Sequence, residues 1–183
     1  FVVFPLMMGL AGVARPFVVL ILKEQWAFAG VLLQIICFAM MWYPVHAINL
    51  NLLQVKGRSD LFLKLEIYKK LIGVAVIAAT VPFGITAMCY GSILTSIIAL
   101  VINTHYTGKL IHVGFLMQMR DLLPTMAYSF SMFLVVIATI YLVPGLLAGL
   151  FAGIAAGMVY FFTITAVTRS RDLKELITLV KRK

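Results

Sequence analysis

The sequence predicts an all-α, polytopic membrane helical bundle of about six transmembrane helices, and three observations carry that expectation. The 183 residues are 63% hydrophobic and only 11% charged. The apolar residues fall into runs long enough to cross a bilayer. The basic residues gather in alternate connections between those runs. A soluble domain keeps roughly a quarter of its residues charged, so a chain with a mean hydropathy of +1.10 has too little polar surface to face water and must face lipid.

A spanning helix needs about 20 predominantly apolar residues. Six stretches qualify as a bundle over residues 1–168: Phe1–Leu22, Phe28–Leu53, Tyr68–Val81, Ile85–Thr104, Leu122–Val143 and Leu146–Thr168. The first opens at Phe1 inside an apolar run with no basic leader before it, which reads as the interior of a longer protein and not as a signal peptide. The third has a short apolar part, and its helix is expected to start near Asp60, which can cap the first turn, with Lys69 and Lys70 snorkelling to the headgroups. Pro82-Phe83-Gly84 separates the third span from the fourth, and Pro144-Gly145 the fifth from the sixth.

The charges test this division. The second connection carries Lys56, Arg58, Lys64, Lys69 and Lys70; the fourth carries Lys109 and Arg120. The tail carries Arg169, Arg171, Lys174, Lys181, Arg182 and Lys183. The first connection has Lys23 alone, and the third and fifth have no Lys or Arg. With six spans, the loaded connections share one side, so the positive-inside rule places both ends in the cytoplasm. The net charge of +9 is thereby an orientation signal and does not point to nucleic acid. In the tail, 169–183, Leu173, Leu176, Ile177 and Val180 recur at helical spacing, which fits a cytoplasmic amphipathic helix on an anionic leaflet or a regulatory, partner-binding segment.

Within the spans, Arg15 is the sharpest residue. Either it lines a wet cavity, where its planar fork suits a phosphate, or Pro16 breaks the helix and leaves Arg15 at the outer headgroups. Tyr43, His46 and Asn49 follow at intervals of three, with Gln34, Asn51 and Gln54 nearby. Such a stripe either lines a pathway for a polar headgroup or bonds to neighbouring helices. Asn103 and His105 are expected at the membrane interface. Gly145, Gly149, Gly153 and Gly157 share a helix face and form a smooth groove for close helix packing, within the bundle or between two copies. Cys37 and Cys89 lie in apolar runs and read as packing residues.

No carboxylate falls in a predicted span: Glu24, Asp60, Glu66, Asp121, Asp172 and Glu175 all lie in or beside connections. No nucleotide loop, metal-ligand spacing, nucleophile elbow or paired acid–base carboxylates occur. The sequence thus predicts neither an enzyme, a cofactor nor a metal site.

The stretch YPVHAINLNLLQVKGRSDLFLKLEIYKKLIGV, residues 43–74, together with PFGITAMCYGSILTSIIALVINTHYTGKL, resembles the C-terminal part of Wzx-type oligosaccharide flippases. These are the lipopolysaccharide and polysaccharide biosynthesis proteins of the MOP superfamily, related to MATE exporters and the lipid II flippase. The shared pattern is a span, a Lys56-Gly57-Arg58 turn, a second span, a turn with Gly84 and a third span; the opening GLAGVARPFVVLILKEQW is also similar. The resemblance implies the last six of about fourteen spans in a bacterial inner-membrane transporter. It implies flipping of an undecaprenyl-pyrophosphate-linked oligosaccharide by alternating access, with membrane lipids and other polysaccharide-assembly proteins as partners. Arg15, Tyr43, His46 and Asn49 are the candidate pathway residues of this chain. A MATE-like cation-coupled exporter is the alternative within transporters. A membrane polysaccharide polymerase or ligase is the alternative outside them, although the short outer connections disfavour it.

Overall fold

The computed structural model describes residues 2–111 and 113–168; the predicted tail helix at 169–183 lies outside them. Every regular element among the described residues is helical. The α-helices are α1 (Val3–Leu22), α2 (Ala27–Met40), α3 (Tyr43–Val55), α4 (Ser59–Thr80), α5 (Ile85–Ile111), α6 (Phe115–Leu142) and α7 (Leu146–Val167), with short 3₁₀ turns at Glu24–Trp26 and Val81–Phe83. Five stretches are long and apolar enough to cross a membrane: α1, Glu24–Val55, α5, α6 and α7. The chain is a multi-pass, all-α membrane protein.

The described residues group into two compact units, one formed by 2–30 and 124–168, the other by 31–111 and 113–123. The boundaries fall inside α2, after Gly30, and inside α6, at Pro124.

In the first unit α1 packs along α7. Phe4, Met8, Ala11, Val13 and Val18 of α1 are buried, as are Met132, Phe133 and Val136 of α6 and Leu150 and Phe161 of α7. α1 runs unbroken through Pro16 to Leu22. The expected break at Pro16 does not occur, so Arg15 lies within the helix and not at its end. Helices in lipid tolerate an internal proline when their surroundings hold the backbone. One such hold is the approach of α2: a Cβ built on Gly30 would lie 2.7 Å from the Arg15 Cα. Only a residue without a side chain fits there.

Three of the four predicted ladder glycines serve close packing. A Cβ on Gly157 would meet Val136 Cγ2 at 2.8 Å, and one on Gly153 would meet Ile140 Cγ1 at 3.0 Å. One on Gly149 would come within 3.4 Å of the Val143 carbonyl oxygen. These contacts seat α7 against α6. Gly145 is a correction: it precedes α7 with φ +97° and makes the turn after Pro144, so it is no part of the packing face.

In the second unit α4 and α5 form a helical hairpin against α3. The turn at Lys56-Gly57-Arg58 has a physical account. Gly57 adopts φ +70°; its N–H donates to the Gln54 carbonyl at 2.9 Å, and the Arg58 N–H donates to the Leu53 carbonyl at 2.9 Å. That pair of bonds is the Schellman arrangement that satisfies the last carbonyls of a helix, and its left-handed residue favours glycine. Arg58 then pairs with Asp60 at 3.1 Å in the first turn of α4. The guanidinium holds the Asp60 carboxyl below the usual carboxylate range.

Three predicted boundaries move. The second span is interrupted at Met41–Trp42, dividing Phe28–Leu53 into α2 and α3. At 14 and 13 residues, each reaches only about 20 Å, short of the roughly 30 Å hydrocarbon core. Pro44 causes the interruption, because it lacks an N–H for the Met40 carbonyl and its ring crowds that carbonyl. The third helix starts at Ser59, near Asp60 as expected, although Arg58 holds the cap position and no side chain caps the turn; its 22 residues cover about 33 Å. Lys64, Glu66, Lys69 and Lys70 nevertheless keep it out of the five apolar stretches. Glu66 is therefore within a helix and not in a connection; it pairs with Lys69 one turn on. Finally, α5 and α6 extend toward each other and leave only residues 112–114 between them. At 27 and 28 residues they exceed the hydrocarbon core by about 10 Å each. Lys109, Arg120 and Asp121 ride on those surplus turns.

Two predictions follow from this packing. Gly30→Ala forces the α1 and α2 backbones apart, and we expect a loss of about 1–3 kcal/mol, read as a lower unfolding midpoint in detergent; an unchanged midpoint would contradict the close approach. The second concerns α4. If it crosses the bilayer, reporter fusions after Gly57 and after Phe83 give opposite topological signals, whereas equal signals reduce the bundle to five spans.

Candidate functional site

The interruption of the second span creates a polar centre inside an apolar bundle. In a continuous helix the Ala39 carbonyl accepts from the N–H of Tyr43; at the break it needs another donor. Ser96 of α5 supplies it, its Oγ donating to the Ala39 oxygen at 2.9 Å. With its proton committed there, Ser96 Oγ is the acceptor for His46 Nε2 at 3.2 Å. His46 Nε2 therefore carries a proton and, in the neutral ring, Nδ1 is an acceptor. It receives Asn103 Nδ2 at 3.4 Å. The bonds run in one direction, from Asn103 through His46 and Ser96 to the backbone of α2. At the other end of this chain the Asn103 Oδ1 is fully buried and has no hydrogen-bond partner.

One turn along α3, Asn49 faces Gln118 of α6, and the two amides bond reciprocally. Asn49 Nδ2 donates to Gln118 Oε1 at 2.9 Å, and Gln118 Nε2 donates to Asn49 Oδ1 at 3.0 Å. Their second protons go to the backbone, from Asn49 to the Val45 carbonyl at 2.8 Å and from Gln118 to the Val113 carbonyl at 3.1 Å. Thr107 of α5 donates to the Asn49 carbonyl at 3.4 Å. Asn49 is 2% exposed, so without these partners its amide would carry the full penalty of a buried polar group.

Most other hydroxyls do not join the network. Thr104, Ser129, Thr139 and Thr165 each donate to the carbonyl four residues earlier in their own helix, at 2.7–2.8 Å. This is the usual way a hydroxyl satisfies itself in a helix. Ser96 and Thr107 differ in reaching another helix.

The four predicted pathway residues are thus divided. His46 bonds to Ser96 and Asn103 of α5, and Asn49, one turn along, bonds to Gln118 of α6. Tyr43 points outward and is 68% exposed. Arg15 belongs to the other unit and is exposed on α1. Asn103 is a correction: it is buried against α3, and α5 continues eight residues beyond it, while His105 is exposed. Ser96, Thr107 and Gln118 are the members not apparent in the sequence. The signal that points to Ser96 is Tyr43-Pro44 deep in an apolar run, which frees carbonyls that require donors. Gln118 reads as a loop residue until α6 is seen to begin at Phe115.

The first unit holds a second feature, a half-open groove of about 560 Å³ between α1, α6 and α7. Leu6, Gly9, Val13, Met132, Gly153 and Gly157 are among its walls, and all its lining residues are apolar. Cys37 and Cys89 are buried free thiols.

Compared with protein-family models, curated proteins and solved structures, the chain gives no match.

The reciprocal amide pair makes a quantitative prediction. In a double-mutant cycle of Asn49→Ala and Gln118→Ala, we expect each single change to lower stability in detergent by about 1–3 kcal/mol. The double change should cost less than their sum, with a coupling of about 0.5–1.5 kcal/mol. Strict additivity would mean the two amides do not act on one another.

Proposed function

We propose that this chain flips an undecaprenyl-pyrophosphate-linked oligosaccharide across the bacterial cytoplasmic membrane during surface-polysaccharide assembly. The observation that carries the proposal is the interrupted second span, with part-buried, neutral hydrogen-bonding side chains beside the break. Interrupted helices near the bilayer midplane are where transporters expose backbone and side-chain polar groups to cargo. Neutral amides and an imidazole suit a sugar headgroup, because they offer both donors and acceptors without a fixed charge.

Two further features support the same reading. A lipid-linked cargo needs a hydrocarbon surface for its tail, and the apolar groove of the first unit has the lining for a polyprenyl chain. The pyrophosphate needs a cation, and Arg15 lies within a helix of that unit with its guanidinium exposed. The sequence resemblance to Wzx-type flippases joins these features to one cargo. In this proposal α4 crosses the membrane as a sixth span, and the basic connections face the cytoplasm by the positive-inside rule.

Complementation tests it. A flippase-null bacterium that makes the parent organism's glycan receives the full-length gene, as wild type or as Arg15→Ala, at equal membrane expression. We expect wild type to restore surface polysaccharide and Arg15→Ala to lower it at least about tenfold, because a charge-assisted hydrogen bond contributes roughly 1.5–3 kcal/mol. No restoration by wild type would remove the flippase assignment. Full restoration by the variant would keep the assignment and remove Arg15 from the pathway.

A further inference from the structure

The hydrogen-bond chain through His46 ends on an atom that has no partner, and that atom sits on a group able to rotate. Asn103 is fully buried, yet its Oδ1 receives no hydrogen bond while its Nδ2 serves His46 Nδ1. Leaving such an acceptor bare is costly in a low-dielectric interior. An amide has its two ends nearly equal in size, so a half-turn exchanges them without disturbing the packing.

We propose that His46 is a reversible proton-binding site, and that rotation of the Asn103 side-chain amide satisfies both of its protonation states. In the neutral state Nε2–H donates to Ser96 and Nδ1 accepts from Asn103 Nδ2. When Nδ1 takes up a proton from the solution, it becomes a donor and repels the amide N–H group it formerly received. The amide turns, Oδ1 accepts from Nδ1–H, and the bond from Nε2–H to Ser96 stays as it was. The imidazolium is then held by two neutral oxygens. Each state leaves one end of the Asn103 amide without a partner, Oδ1 in the neutral state and Nδ2 in the charged one, so the count of unmet groups does not favour either. The one bond that changes partner and direction is at Nδ1 of the ring, and no backbone hydrogen bond of α3 or α5 is altered.

Most of the groups around this pair are neutral. Of the elements packed on α3, α5 presents the neutral Ser96 and Asn103, α2 presents the Ala39 carbonyl, and α6 presents the neutral Gln118 one turn away. α4 brings the two charged side chains nearest the ring, Lys69 and Glu66. Those two are bonded to one another. The proposal does not depend on what cargo the chain carries.

The chain contains three histidines, which makes the test direct. The full-length protein in lipid nanodiscs, labelled with ¹⁵N at histidine rings and asparagine side chains, is titrated between about pH 4 and pH 9, a window centred on the histidine range. We expect the His46 ring and the Asn103 amide resonances to shift together in one reversible step. Asn103→Asp, nearly the same shape, should raise the His46 midpoint by about one pH unit or more, and Asn103→Leu should lower it by a similar amount. His105 and His112 should stay where they are in both variants. A His46 ring that does not titrate in this window, an Asn103 amide that ignores the step, or an Asn103→Asp midpoint equal to wild type would each overturn the proposal. The near-isosteric aspartate variant keeps the test decisive should the leucine variant fail to fold.

Discussion

In hydrocarbon a backbone carbonyl that loses its helical donor has no water to turn to, and each such group costs several kcal/mol if left bare. Pro44 imposes that condition in the second span, and the arrangement around α3 can be understood as the response. Ser96 must sit opposite Ala39 to supply a donor, which fixes how α5 lies along α2 and α3. Because its proton is spent on that carbonyl, Ser96 can only accept from His46. The tautomer of His46 follows, and with it the need for a donor at Nδ1, which Asn103 meets. The break at Met41–Trp42 thus sets the direction of the bonds that run from Asn103 through His46 and Ser96 to α2.

The first unit answers to a different constraint, the distance between backbones. Lipid chains are as apolar as leucine side chains, so helices in a bilayer gain little by hiding apolar surface from one another. Close contact has to supply the attraction. Gly149, Gly153 and Gly157 let α7 lie against α6, and Gly30 lets α2 meet α1 beside Arg15. The same economy of side chains leaves an apolar groove where α1, α6 and α7 do not fully meet. A close-packed unit and a hydrogen-bonded unit therefore occur in one chain, each stabilised by the means open to it.

Much of the fold is legible in the sequence, since composition and run length report lipid exposure directly. The ends of α1 and α7, the glycine turns at Gly57 and Gly84, and the early start of α4 at Asp60 can all be read from residue type. The surplus turns of α5 and α6 cannot be read this way. Their polar residues look like a loop, because hydropathy cannot distinguish a helix leaving the membrane from a connection. The candidate site was half legible. His46 and Asn49 stand out as polar residues in an apolar run, but their partners come from 50 and 69 positions away, and only the packing of helices brings them together. Tyr43 and Arg15 share the chemistry of the site without sharing its location, since spacing along one helix does not determine which face is buried.

The self-bonded hydroxyls alter what the polar residues of this chain amount to. A hydroxyl that donates to the carbonyl four residues back in its own helix has its proton occupied. Thr104, Ser129, Thr139 and Thr165 are polar by formula but spend that polarity inside their own helix. A transfer scale calibrated on free side chains counts each as a debit against insertion, so the chain is better solvated by lipid than its residue names suggest. The membrane-inserting machinery of a cell would meet a more oily polymer than the one written in the sequence.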